Sequence, residues 1–151
     1  MTPEHETLVR TTWAAAAPQA AAMVDRFYEE LFERSPESRA LFDRVDREAL
    51  ARKFQLTLGE IVAVLDDPER LVSVLGPLGR HHAGLGVRSG HYEVALGALI
   101  AALRETCGEA FTPDTEEAWR ELYNLVAAVM RRGDGSSRAS ARDLVGIPGS
   151  S

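Results

Sequence analysis

Apolar residues along this chain recur at intervals of three and four, the spacing that lines up side chains on one face of an α-helix. The clearest stripe is Leu50, Phe54, Leu58, Ile61 and Leu65, with steps of four, four, three and four. It predicts a helix that Asp46 caps and that lasts to about Leu65. Leu50 and Phe54 then point inward, while Arg52 and Gln55 mostly do not. No alternating, strand-like stretch stands out.

Prolines and cap residues divide the rest of the pattern. Thr2-Pro3 opens a first helix to about Ala16, with Leu8, Thr12 and Ala15 on one face and Trp13 as a core anchor. Pro18 opens a second, through Met23, Phe27, Leu31 and Phe32. Ser35-Pro36 stops it and starts a short helical turn that reaches Leu41-Phe42. Asp67-Pro68 starts the helix that carries His82, and Ser89 caps the next, from about Gly90 to Thr106. Thr112-Pro113 repeats the cap-plus-proline signal for a last long helix through Trp119, Tyr123, Val126 and Met130, which Gly133 ends. The expectation is one all-α domain over residues 1–133, of about seven helices. Residues 134–151, rich in Gly and Ser, read as a flexible tail. Helical spacing alone does not choose among all-α packings.

Composition narrows the function. At 151 residues and 45% apolar content, the chain can bury a core without staples. Its 23 acidic residues against 17 basic ones give a formal charge of −6, and no basic stripe stands ready to neutralise phosphates. A nucleic-acid partner is therefore disfavoured. Cys107 is the single cysteine, so no intrachain disulfide forms, as suits a reducing compartment. The start, MTPEHETLVR, lacks an apolar signal core, and no window approaches the roughly 18 apolar residues of a membrane span. These features predict a soluble, cytoplasmic protein with no membrane partner. GLGVRSG loosely echoes a dinucleotide fingerprint, but the spacing is wrong and no strand precedes it.

The candidate chemistry lies in LVSVLGPLGRHHAGLGVRSGHY, residues 71–92. An apolar, helix-like run ends there in two adjacent histidines, followed by glycines and then Tyr92. Imidazole is a strong neutral ligand for transition metals. One residue turns about 100° around a helix, so His81 and His82 cannot both face the same site. On the residues alone, a solvated helix-end histidine is the commoner outcome.

Four stretches of the chain, and the spacing of two residues in the first of them, resemble the globins, and among them the bacterial single-domain globins, the haem domain of flavohaemoglobins and neuroglobin-like sequences. RFYEELFERSPESRALF resembles their second helix and the turn after it. LARKF resembles the start of the distal helix, LGRHHAGLGVRSGHY the proximal helix and its exit, and GEAFTPDTEEAWRELY the joint into the last helix. Phe42 lies fourteen residues after Tyr28, as the family's haem-face phenylalanine follows its distal tyrosine. The resemblance runs from about Leu8 to Arg132 and implies a globin fold around a haem pocket.

By that resemblance His82 is the proximal ligand of the haem iron, with the Leu78 carbonyl as acceptor for its second ring nitrogen, and His81 is exposed. Without a C-x-x-C-H run the cofactor is haem b, held non-covalently. Tyr28 is the distal, ligand-stabilising residue. Leu50 stands where related chains carry glutamine or histidine, so the usual distal donor is missing. Phe54 crowds the pocket, Lys53 matches a lysine near a haem propionate, and Val87 and Tyr92 complete the proximal wall. Asp134 stands where flavohaemoglobins have a glutamate that pairs with the tyrosine at Tyr92. The functional expectation is reversible binding of dioxygen, carbon monoxide and nitric oxide by a monomer or weak homodimer, for transport or storage. The enzymatic alternative is nitric oxide dioxygenation with a separate reductase, since no flavin or nicotinamide region is present in these residues. A haem-based gas sensor or redox module is a third reading.

Overall fold

Most long helices start where a side chain satisfies backbone N–H groups that have no partner inside the helix. The computed structural model describes residues 1–42, 46–84 and 89–131, and the side chains there apart from those of Leu41, His82, Ala83, Gly84 and Ser89. Helix α1 spans Pro3–Ala16, and the Thr2 hydroxyl accepts from the His5 N–H at 3.1 Å. Helix α2 spans Ala20–Arg34. Helix α3 spans Arg47–Ala63, and the Asp46 carboxylate accepts from Glu48 and Ala49. Helix α4 spans Pro68–Gly84, capped by Asp67 through the Arg70 N–H at 3.2 Å. Helix α5 spans Ser89–Cys107, and α6 spans Pro113–Arg131 with Thr112 accepting from the Thr115 N–H at 3.2 Å. Short 3-10 turns cover Ala17–Gln19, Pro36–Phe42 and Gly108–Ala110. No strand occurs among the described residues.

Two local readings shift. Pro18 sits in the turn before α2 rather than at its start, and α2 begins at Ala20 with no side-chain cap. The inward face of α1 is Val9, Thr12 and Ala16, while Ala15 is exposed and Leu8 and Trp13 are half-buried. Thr12 tolerates burial because its hydroxyl donates to the Leu8 carbonyl at 2.6 Å. Trp13 lies at the crossing with α3, where a Cβ on Gly59 would stand 3.8 Å from the indole nitrogen.

The helices pack in pairs. Helix α2 lies most extensively on α5, α1 and α4 both lie on α6, and α3 packs on α2. Met23, Leu71, Leu75, Ile100, Leu103, Trp119 and Leu122 are the largest fully buried apolar side chains, drawn from α2, α4, α5 and α6. At one crossing the backbones nearly touch: a Cβ on Gly79 would lie 2.8 Å from Met130 Cα and closer still to its carbonyl oxygen. Only glycine permits that approach. It fixes the end of α4, three residues before His82, against the end of α6.

Candidate functional site

Helix α2 turns Phe27, Tyr28, Leu31 and Phe32 inward, and all four are buried. The turn after α2 brings Phe42 back over them. Ser35 and Ser38, both buried, tighten that turn through a 2.8 Å hydroxyl bond and the Ser38 N–H to Ser35 carbonyl bond at 2.9 Å. Phe42 then meets the Tyr28 ring edge-on, with centroids 5.1 Å apart, and Phe32 at 5.6 Å. Phe27 closes the other edge of Tyr28 at 5.0 Å, and Phe32 stacks on it at 6.0 Å. Phe54 reaches in from α3 to within 5.1 Å of Phe27. Edge-to-face contacts at these distances each add about 0.5–1.5 kcal/mol beyond area burial.

Tyr28 is the polar member of this cluster. It is 4% exposed. Its hydroxyl makes no hydrogen bond among the described residues. Burial pushes the phenol up to about 12, with the Arg47 charge pulling the other way. The group therefore stays protonated at neutral pH and keeps an O–H to donate. Leu50, half-buried on α3, packs against the core and has no donor to compete with it. Arg52 and Gln55 are exposed, as the α3 stripe predicts, and Lys53 is exposed beside them.

On the α4–α5 side, His81 is exposed and the His82 backbone lies in the last turn of α4. The His82 imidazole, Val87 and Asp134 lie outside the described residues and side chains. Tyr92 is buried in the first turn of α5, its carbonyl accepting the Tyr123 hydroxyl at 2.6 Å and its ring 5.8 Å from the Arg131 guanidinium carbon. Cys107 is half-buried, and burial pushes its thiol up, away from the reactive thiolate. Among the described residues no group of three His, Cys, Asp or Glu could hold a metal ion, and no helix is long and apolar enough to cross a membrane.

A family model for the globins matches residues 25–130, more than two thirds of the chain. This chain belongs to the globin family. It is 30% identical over 126 residues to a flavohemoprotein of Chromobacterium violaceum, covering 82% of this chain and 31% of that protein. It is 31% identical over 134 residues to a flavohemoprotein of Bordetella pertussis, covering 86% and 33%. The globin thus spans about a third of the length of these curated relatives. Among solved structures it is similar to an engineered carbene transferase, made from a Rhodothermus marinus protein provisionally assigned as a nitric oxide dioxygenase. The TM-score is 0.80 at 27% identity, covering 89% of this chain and 94% of that one.

Of the residues singled out in the sequence, the fold brings Tyr28, Phe42 and Phe54 into one aromatic cluster, Phe54 through Phe27, while Leu50 lies half-buried on α3. Three members of the site escaped the sequence reading. Phe27 and Phe32 read there only as stripe residues of α2. Arg47 gave no signal, because its guanidinium carbon reaches the Tyr28 ring, at 5.0 Å, from the start of another helix.

Proposed function

We propose that this globin binds haem b without covalent attachment and takes up dioxygen reversibly, along with carbon monoxide and nitric oxide. The observation that carries the reading is Tyr28: a buried phenol, held neutral, whose hydroxyl has no partner among the described residues. That hydroxyl keeps its proton and stands among aromatic rings, so it has a donor to offer a bound ligand. Phe42 beside it, Phe54 against Phe27 and Leu50 on α3 are half-buried apolar side chains of the kind that a flat porphyrin packs against. These residues fit the cofactor that flavohemoprotein relatives carry in their name.

When bound, haem supplies a ferrous iron with one open position for a diatomic gas. In this reading His82 would hold the iron, and the Leu78 carbonyl, four residues back, would accept from the other ring nitrogen. Tyr28 holds its proton and donates towards the gas. Leu50 and Phe54 would exclude water, Val87 and Tyr92 would be residues that hold the haem, and the exposed Lys53 would pair with a propionate. The test is the absorbance of the purified, reduced protein under dioxygen and carbon monoxide. A colourless protein, or an unchanged spectrum and haem content in His82→Ala, overturns the proposal.

A second reading has specific support. The relatives are flavohemoproteins, and the Rhodothermus marinus neighbour carries a nitric oxide dioxygenase assignment. Here the same pocket serves oxidation of nitric oxide to nitrate, with electrons from a separate reductase. Nitrate formation from nitric oxide and dioxygen, sustained only when a reductase is supplied, distinguishes it from simple carriage.

A further inference from the structure

Arg47 is the first residue of α3, directly after the Asp46 cap. Its guanidinium carbon lies 5.0 Å from the Tyr28 ring centroid and 5.8 Å from that of Phe32. The two rings stack with only 28° between their planes, so one cation spans both. Arg39 takes the Phe32 ring as well, at 4.9 Å. Asp25, one turn before Tyr28 on α2, stands 4.0 Å from Arg47 Nη2, at the limit of an ion pair and largely exposed. That contact is too long and too solvated to hold the side chain by itself. The aromatic faces are the better partner, because a guanidinium stacks on them and is weakly hydrated.

We infer that Arg47 is a positioning residue for the proposed gas site: lying across the Tyr28 and Phe32 rings, it fixes the direction of the phenol and strengthens its hydrogen-bond donation. The inference rests on the reading of Tyr28 as the distal donor. A cation over a π face draws electron density from the ring, and the phenolic hydrogen becomes a better donor. The lowering influence of Arg47 on the phenol, against burial, has the same sign. Phe27, Phe42 and Phe32 bound the ring on its remaining sides, so losing Arg47 frees one direction only.

The test uses the haem-loaded chain in four forms: wild type, Arg47→Met, Tyr28→Phe and the double variant. The readouts are the dioxygen dissociation rate and the infrared stretch of bound carbon monoxide, which senses a nearby donor. Arg47→Met is expected to speed dioxygen loss about fivefold and to move the stretch towards that of Tyr28→Phe. In the Tyr28→Phe background it should change neither. Arg47→Lys, which keeps the charge, should fall between. Equal effects in both backgrounds, or none in either, overturn the inference. If Tyr28→Phe alone leaves both readouts unmoved, the distal reading of Tyr28 is what has failed, and the inference goes with it. Arg47→Gln serves the same comparison should Arg47→Met not fold.

Discussion

The Tyr123 hydroxyl donates a 2.6 Å hydrogen bond to the Tyr92 carbonyl, tying the middle of α6 to the first turn of α5. Burial pushes the Tyr123 phenol well above its ordinary value, so the donor proton is present at any physiological pH. A carbonyl has two lone pairs, and the helix uses one. The tyrosine takes the second, across 31 residues of chain.

Removing that hydroxyl in Tyr123→Phe deletes the bond while keeping the ring. The carbonyl retains its helical partner, so the penalty is that of one ordinary bond, about 0.5–1.5 kcal/mol. The urea midpoint should fall with an unchanged slope. An unmoved midpoint means that solvent replaces the bond at no cost.

The Gly79–Met130 crossing predicts a larger effect from a smaller change. Alanine normally favours a helix over glycine by about 1 kcal/mol. Here its methyl group would sit 2.8 Å from Met130 Cα and closer to the carbonyl, both backbone atoms that cannot step aside. Gly79→Ala should therefore destabilise the fold, by about 1–3 kcal/mol, through forced separation of α4 from α6. Because His82 follows three residues later, haem retention should also drop. A stabilised Gly79→Ala protein would show that the helices part freely.

Leu50 offers a gain-of-function test of the pocket. It is half-buried on α3 and packs against the core. Leu50→Gln adds a donor of similar length. If Leu50 borders the gas site, dioxygen should leave about two- to tenfold more slowly, the worth of one added hydrogen bond. Carbon monoxide, the less polar ligand, should be affected less. Identical changes for the two gases point to altered access instead.

What could be read from the chain followed from how local each signal was. The caps at Thr2, Asp46, Asp67 and Thr112 announce their helices because the cap and the N–H groups it satisfies are neighbours in sequence. The stripe on α3 was equally legible, since Leu58 and Ile61 are buried and Gln55 is not, and Leu65, two residues past the helix, is buried too. On α1 Thr12 is buried as expected, but Val9 and Ala16 are buried in place of Leu8 and Ala15. Four consecutive alanines, Ala14 to Ala17, offer no contrast in size or polarity, and only Ala16 of α1's three is buried. The meeting of Tyr28 and Phe42 came from family resemblance; periodicity does not carry it, because a turn intervenes. Arg47 over Tyr28 and Tyr123 on Tyr92 were not legible at all, being contacts between helices whose relative placement no spacing rule supplies.

The buried phenol of Tyr28 also makes stability depend on alkaline pH, and the sign is fixed by the direction of its shift. An unfolded tyrosine ionises near pH 10. In the fold, burial holds Tyr28 protonated up to about 12. Between these values the unfolded chain releases the proton and the folded chain keeps it, so unfolding is favoured as pH rises. The stabilising contribution is complete below about pH 10 and is lost as pH climbs through the folded value, to the extent of roughly 2 kcal/mol. Tyr123, shifted upward in the same direction, adds to the slope. Comparing urea midpoints of wild type and Tyr28→Phe at about pH 9 and about pH 11 isolates the share due to Tyr28. The gap between the two proteins should change in favour of Tyr28→Phe at the higher pH. A gap that stays constant would mean that the Tyr28 hydroxyl meets water in the folded state, and the same finding would remove the case for it as a dry donor beside a bound gas.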